Sequence, residues 1–250
     1  MSRLFGLAVL AFVLGGSGAA HAEPGMANQV YSPYVKKGVT EIELRGGRLN
    51  GGSLDGESAG VIEVEHGFSD RLSLAVLAEF EHHAGEKNKL DAIAVEGVAY
   101  LGQIPTLGID VGAYLEYEQR IHAESGKVEA KLLLAKRSGG FETRLNLIAN
   151  RALTDKPGED VTQFGYAAQT TWETGHDVQL GVQAFGELGT GDSLGGHRRH
   201  YLGPLVAWEL HPKSVPGELE FEAAYLLPLG QARHDTDGQV RVKVAWERRF

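Results

Sequence analysis

Six of the ten histidines, His82, His83, His122, His197, His200 and His234, fall in polar stretches where an imidazole can bind metal or move protons. His197-Arg198-Arg199-His200 sets two of them at i, i+3, a spacing that could serve one ion. The sequence has no H-E-x-x-H motif and no compact carboxylate–histidine cluster, so these groups read as solvated loop residues and no metal is assigned. For nucleophilic chemistry there is no cysteine and no G-x-S-x-G elbow; Ser193 with His197 is a chance pairing of loop groups. Glu81, His82, Asp91 and His122 form an acid–histidine set of the kind some hydrolases use, with a hydrated charged rim as the plainer reading. No catalytic residue and no cofactor is assigned.

The chemistry with a pattern is carboxylate in alternation. Glu116 and Glu118 alternate with Leu115 and Tyr117; Glu218, Glu220 and Glu222 alternate with Leu219, Phe221 and Ala223; Arg241 and Lys243 alternate with Val240, Val242 and Val244. Glu129 with Lys131, and Glu142 with Arg144, add opposite charges two residues apart on one face. A period of two is the signature of a strand, whose successive side chains point to opposite faces. Strands of soluble sandwiches are usually five or six residues long. Here the alternating segments reach about ten to thirteen, the length that crosses a bilayer at a tilt. The predicted fold is therefore an all-β, transmembrane antiparallel up-and-down barrel of about twelve strands, apolar outward and charged inward.

The predicted strands are 39–48, 58–66, 71–82, 90–101, 107–120, 127–138, 141–152, 161–173, 177–188, 199–210, 217–229 and 238–250. Short connectors alternate with long polar ones, as in outer-membrane barrels; the connector 211–216 is longer than its class. Before them, residues 1–22 read as a signal peptide: Arg3, an apolar run from Leu4 to Leu14, and Ala20-His21-Ala22 before Glu23. Residues 23–38 read as a periplasmic leader and 39–250 as the barrel. Loss of Arg3 takes the net charge from −9 to −10, which argues against nucleic acid as a partner.

Trp172, Trp208 and Trp246 fall on lipid-facing positions near one end of their strands and read as an interface girdle. Phe250, the terminal aromatic, resembles the signal that outer-membrane proteins present to their assembly machinery. Val30-Tyr31-Ser32-Pro33-Tyr34-Val35, Glu41 to Gly47, and the turn His66-Gly67-Phe68-Ser69-Asp70-Arg71-Leu72-Ser73-Leu74 resemble the bacterial barrels labelled transporter or "MetA-pathway of phenol degradation" proteins. That resemblance covers about the first third of the chain and implies passage of aromatic compounds; it transfers no ligand residue.

The expected partners are outer-membrane lipid, lipopolysaccharide (with Arg198 and Arg199 as candidate phosphate contacts) and small solutes. A twelve-strand barrel of roughly 25 Å leaves at most a channel of roughly 10 Å once long side chains are subtracted. The interior is then either a narrow acidic channel, lined by Glu116, Glu118, Glu129, Lys131, Glu142, Arg144, Glu218, Glu220, Glu222, Arg241 and Lys243, or a polar plug. The expected function is an outer-membrane channel or facilitator for passive passage of small solutes. The alternatives are a non-conducting structural or receptor barrel and, third, an outer-membrane hydrolase.

Overall fold

A computed structural model describes residues 26–121, 125–154, 160–175, 177–196, 198–213 and 216–250. The signal peptide, its cleavage site, His122 and His197 lie outside the described residues. Twelve long strands follow in order: β1 Val39–Asn50, β2 Ser58–Ser69, β3 Leu72–His82, β4 Lys89–Ile104, β5 Ile109–Arg120 and β6 Gly126–Ser138. Then come β7 Phe141–Leu153, β8 Gln163–Glu173, β9 Val178–Thr190, β11 Arg199–Leu210, β12 Glu218–Gly230 and β13 Gly238–Arg249. The two-residue β10, Ser193–Leu194, folds back on the end of β9 inside a long loop. Each long strand pairs antiparallel with its chain neighbours, and β1 pairs with β13 from Val39↔Arg249 to Asn50↔Gly238, which closes the barrel.

Closure answers a backbone constraint. In hydrocarbon no water satisfies an N–H or C=O, so a spanning sheet can have no free edge. The outer face shows what solvent it is built for. Leu115 is 60% exposed, and Leu44, Val64, Val76, Ile93, Val95, Leu227 and Val242 are exposed beside it, whereas Glu43, Glu96 and Glu118 are 1–2% exposed. That is a soluble protein turned inside out, and a continuous apolar outer surface of this extent belongs in a membrane. Among the described residues, no helix is long and apolar enough to cross one.

Strand bounds match the sequence reading to within two residues except at the ends of β2 and β4. β2 runs on to Ser69 across an irregular register at Gly67/Ser69, leaving Asp70-Arg71 as the turn. β4 extends to Ile104 because a bulge at Tyr100/Gly102 absorbs one residue and lets pairing continue. The loop between β9 and β11 is itself partly a ribbon. All the tight connectors, with 211–217, lie at the end where the chain enters and leaves; the longer loops lie at the other end.

The larger departure concerns residues 23–38, expected to lie outside the barrel as a leader. The described part, Met26 to Gly38, runs up the inside. Val30 and Tyr31 are each 4% exposed and pack into apolar clusters made by the barrel wall.

On the outer face the bilayer reading makes a sharp demand. Val76 sits mid-strand on β3, so Val76→Arg places a charge near the middle of the hydrocarbon and should destabilise the lipid-refolded barrel by about 2–4 kcal/mol. A denaturant titration in vesicles measures it; a change under 0.5 kcal/mol would mean that this face meets water.

Candidate functional site

The inner wall and the segment Met26–Gly38 form one site, and it is built from the short-turn end upward. Gly38 is held first, its N–H donating to the Gly67 carbonyl at 2.7 Å and its carbonyl accepting from the Phe250 N–H at 3.0 Å. Next, Lys36 pairs with Glu247 at 2.5 Å. The Tyr34 hydroxyl donates to Asp110 at 2.9 Å, and Arg137 lies 4.2 Å over the Tyr34 ring. Burial first, and the hydrogen bond to Asp110 second, push the Tyr34 phenol up to about 12, so it remains a donor across any working pH.

At the waist, the wall reads the segment's main chain. Asn146, fully buried on β7, accepts from the Tyr31 N–H at 2.7 Å and donates to the Tyr31 carbonyl at 2.9 Å, pairing with it as a strand neighbour would. Arg45 donates to the Ala27 carbonyl at 2.9 Å while also gripping Glu43 and Glu63 at 2.5 Å each. Arg241 donates to the Asn28 carbonyl and, at 2.7 Å, to Gln183. Between these polar contacts, Val30 enters a pocket that includes Phe185, Tyr201, Leu205 and Leu226, and Ala27 packs on Val61, Leu77 and Ala94. The Tyr31 ring lies 4.6 Å from that of Tyr114, with Lys131 about equally close over both.

Room for this segment is cut by glycines on the inward parity. A Cβ on Gly47 would strike the Met26 carbonyl, one on Gly67 the Lys36 carbonyl, and one on Gly112 would come within 2.8 Å of the Pro33 ring. Above the waist a cavity of about 330 Å³ lies toward the long-loop end, floored by Ala27, Asn28, Gln29 and Tyr31. Its walls carry the carboxylates Glu79, Glu81, Asp91, Glu116, Glu118, Glu129 and Glu187 against the cations Arg45, Arg120, Lys127, Lys131 and Arg198. A void of about 20 Å³ remains between the segment and Glu222, Arg241 and Lys243, enough for roughly one water.

The residues singled out from the sequence are placed as follows. Glu116, Glu118, Glu129 and Lys131 line the cavity, with Lys131 on Glu129 at 2.9 Å and Lys127 and Arg120 both on Glu118. Glu142 sits between Arg144 and Arg137, 2.5 Å from each. Glu220 shares Lys243 with Glu43; Glu222 accepts from Gln183; Glu218 is 3.7 Å from His211. Trp172 stacks on Phe141 and Trp208 on Phe221, while Trp246 donates to the Pro216 carbonyl at 3.1 Å; all three sit near the short-turn ends of strands on the apolar parity. Phe250 is exposed beside Arg248.

The loop histidines form no common site among the described residues. His83 lies 3.5 Å from both Glu57 and Glu81, and His200 stacks on Tyr166. Two sets of three carboxylates, Glu63/Glu65/Glu96 and Glu79/Glu116/Glu118, have oxygens within 4.8 Å of one another. Arg45 and Lys127 already hold a member of each set. Sequence reasoning missed Asn146, Lys127, the inward glycines and the whole luminal segment. The signal was there in part: Gly47 and Gly112 sit at positions where the alternation calls for a filled interior.

No protein-family model matches the chain, and no curated protein does, so the kinship read in its first third rests on those residues alone. Solved structures share the fold. The NanC porin matches with a TM-score of 0.56 at 11% identity over 82% of this chain and 98% of that one. An outer membrane channel from Pseudomonas putida F1 matches at 0.54 and 12% over 92% and 100%, and the KdgM porin at 0.53 and 11% over 84% and 99%.

The glycine gap gives a direct check on the docked segment. Gly112→Leu overpacks it against Pro33 at a cost of about 1–3 kcal/mol, and each 1.4 kcal/mol raises the undocked population roughly tenfold. Tryptic cutting after Lys36 in the lipid-embedded barrel should quicken accordingly, with Leu115→Ala on the outer face of the same strand as the unchanged control.

Proposed function

We propose that the chain is an outer-membrane channel for small solutes, closed at rest by its own segment Met26–Gly38. The observation that carries this reading is the cavity open toward the long-loop end whose floor is that segment, hydrogen-bonded to strands on opposite sides of the lumen. A barrel needed only as an anchor could fill its interior with side chains. This one keeps a vestibule and spends thirteen residues closing it. Its export by a cleaved signal, leaving a chain that begins at Glu23, and its residence in the outer membrane belong to the same proposal. The short turns then face the periplasm, the long loops the outside, and the three tryptophans the inner boundary, where an indole finds both apolar and polar partners.

The vestibule's charge sets the class of solute. Carboxylates outnumber cations along it, so cations and neutral molecules should enter in preference to anions. The KdgM porin has been solved with oligogalacturonate, a polyanion; this wall is poorly suited to such a ligand. The aromatic-compound passage implied by the resemblance in the first third is compatible with neutral solutes and stays part of the proposal.

Single-channel recording in planar bilayers tests both parts. The intact chain should show little or no conductance at neutral pH, and deletion of residues 26–37 should open a steady one. In that deletion background the reversal potential should report cation preference at low salt, fading as the screening length falls to about 3 Å at 1 M. Glu118→Gln should shift it toward zero. A silent deletion variant would sink the channel reading, and anion preference at low salt would sink the solute class.

A further inference from the structure

The Tyr114 hydroxyl lies 2.7 Å from Glu96 Oε2 and 2.6 Å from Glu116 Oε2. A phenol has one proton to give, and an ionised carboxylate has none. Both contacts can be hydrogen bonds only if one of the two carboxyl groups carries a proton and donates it to the Tyr114 oxygen. The Tyr31 hydroxyl cannot supply it, since it spends its own proton on the same Glu96 Oε2, at 3.0 Å, and receives Arg45 at 3.4 Å. Glu96 is 2% and Glu116 6% exposed, so these contacts are made largely out of bulk water although Glu116 borders the vestibule.

The surrounding charge makes the same demand. Facing the pair are Tyr31 of the luminal segment, Arg45 of β1, Glu63 and Glu65 of β2, Glu79 of β3, Glu118 of β5, and Lys127, Glu129 and Lys131 of β6. Each cation there already holds another carboxylate: Arg45 holds Glu43 and Glu63, Lys127 holds Glu118, and Lys131 holds Glu129. A second negative charge on the Glu96–Glu116 pair has no counter-ion of its own.

We infer that Glu96 and Glu116 share one proton across Tyr114 while the segment is docked, and that this proton locks Tyr31, and with it the plug, in the lumen. The inference rests on the plugged-channel reading and gives it a regulator. Once the segment leaves, water fills the waist, both carboxyl groups ionise separately, and the proton is lost. Docking therefore binds a proton. The lock is complete at low pH, where the pair is protonated in either state. It weakens as pH rises, by up to tenfold in the docked-to-undocked ratio per unit, until the docked pair itself ionises. The proton belongs to the pair rather than to one residue. Glu116 lines the vestibule, so the pH that matters is that of the long-loop side.

Conductance of the intact chain, recorded while the long-loop side is stepped from acid to alkaline pH, should rise across the series. Glu116→Gln supplies an amide N–H that donates to Tyr114 and cannot ionise, so it should stay closed throughout. Tyr114→Phe removes the shared hydroxyl and should conduct with no such step. The infrared carbonyl intensity from protonated carboxyl groups at neutral pH should be lower in Glu116→Gln than in the intact chain by the contribution of one group. The variant lacking residues 26–37 separates the two levels of argument. If it is silent, the channel reading has failed. If it conducts while Glu116→Gln opens with pH as the intact chain does, or while the infrared intensity is undiminished by that substitution, the proton lock is refuted and the plug stands.

Discussion

Everything in this molecule follows from one constraint: a backbone in hydrocarbon must find all its hydrogen-bond partners within the protein. A closed ladder is the strand solution, and closure fixes the circumference by strand number and tilt. The interior is then given before any residue chooses to fill it. Twelve strands enclose a space that inward side chains and a further stretch of chain fill together, leaving a void of only about 20 Å³ between the segment and Arg144, Glu222, Arg241 and Lys243. The inner parity therefore carries long charged side chains in ladders, such as Arg137–Glu142–Arg144 and Glu43–Lys243–Glu220, and the chain's own N-terminal segment takes the axis.

That division explains what could be read in the sequence and what could not. Strand positions were legible because lipid outside and charge inside impose a period of two on residues such as Leu115 to Glu118, and the ladder is local in sequence. The inward placement of Glu129, Lys131, Glu142 and Arg144 follows from the same parity. Residues 26–38 have no period, because an irregular segment inside a lumen meets wall on every side. Their partners are remote: Asn146 lies 115 positions from Tyr31, and Arg241 lies 213 from Asn28. Composition does not rank such pairings. The traces left behind were indirect, in Gly47 and Gly112 on the inner face and in Leu77, Leu133, Leu205 and Leu226 there as well. Inward leucines are out of place in a hydrated channel and in place around a docked Val30 and Tyr31.

The electrostatics of the site are equally a matter of pairing rather than of totals. A net acidic count gave the expectation of an acidic lumen, but many inner carboxylates are committed to a specific cation, including Glu118, held by Lys127 and Arg120, inward-facing at the ends of their strands. Among the described residues, those with no ion pair include the Glu96–Tyr114–Glu116 set at the floor of the vestibule and, beside it, Glu79 and Glu65. Buried charge without a partner costs several kcal/mol in a low-dielectric interior, so such a group protonates or recruits a partner. Functional sensitivity concentrates at those few positions, while the paired ladders act as structure.

The manner of docking also bears on how easily the lumen could open. The wall holds the segment by its carbonyls and one N–H, through Arg45, Arg241 and Asn146, by the side chains of Tyr31, Tyr34 and Lys36, and by apolar burial at Val30 and Ala27. Main-chain contacts carry little sequence specificity, and as a free peptide the segment would be an indifferent ligand. Tethering changes the balance. Gly38 is fixed to both β2 and the C-terminus, so the segment faces its site at an effective concentration of about 1 mM, typical of short linkers. Loss of a hydrogen-bonded anchor at Tyr31 weakens docking by about 1–3 kcal/mol when it strands a buried polar group. A plug tethered at Gly38 and held by main-chain contacts together with a few side-chain anchors, at Tyr31, Tyr34 and Lys36, is the kind of closure that the proposed opening requires.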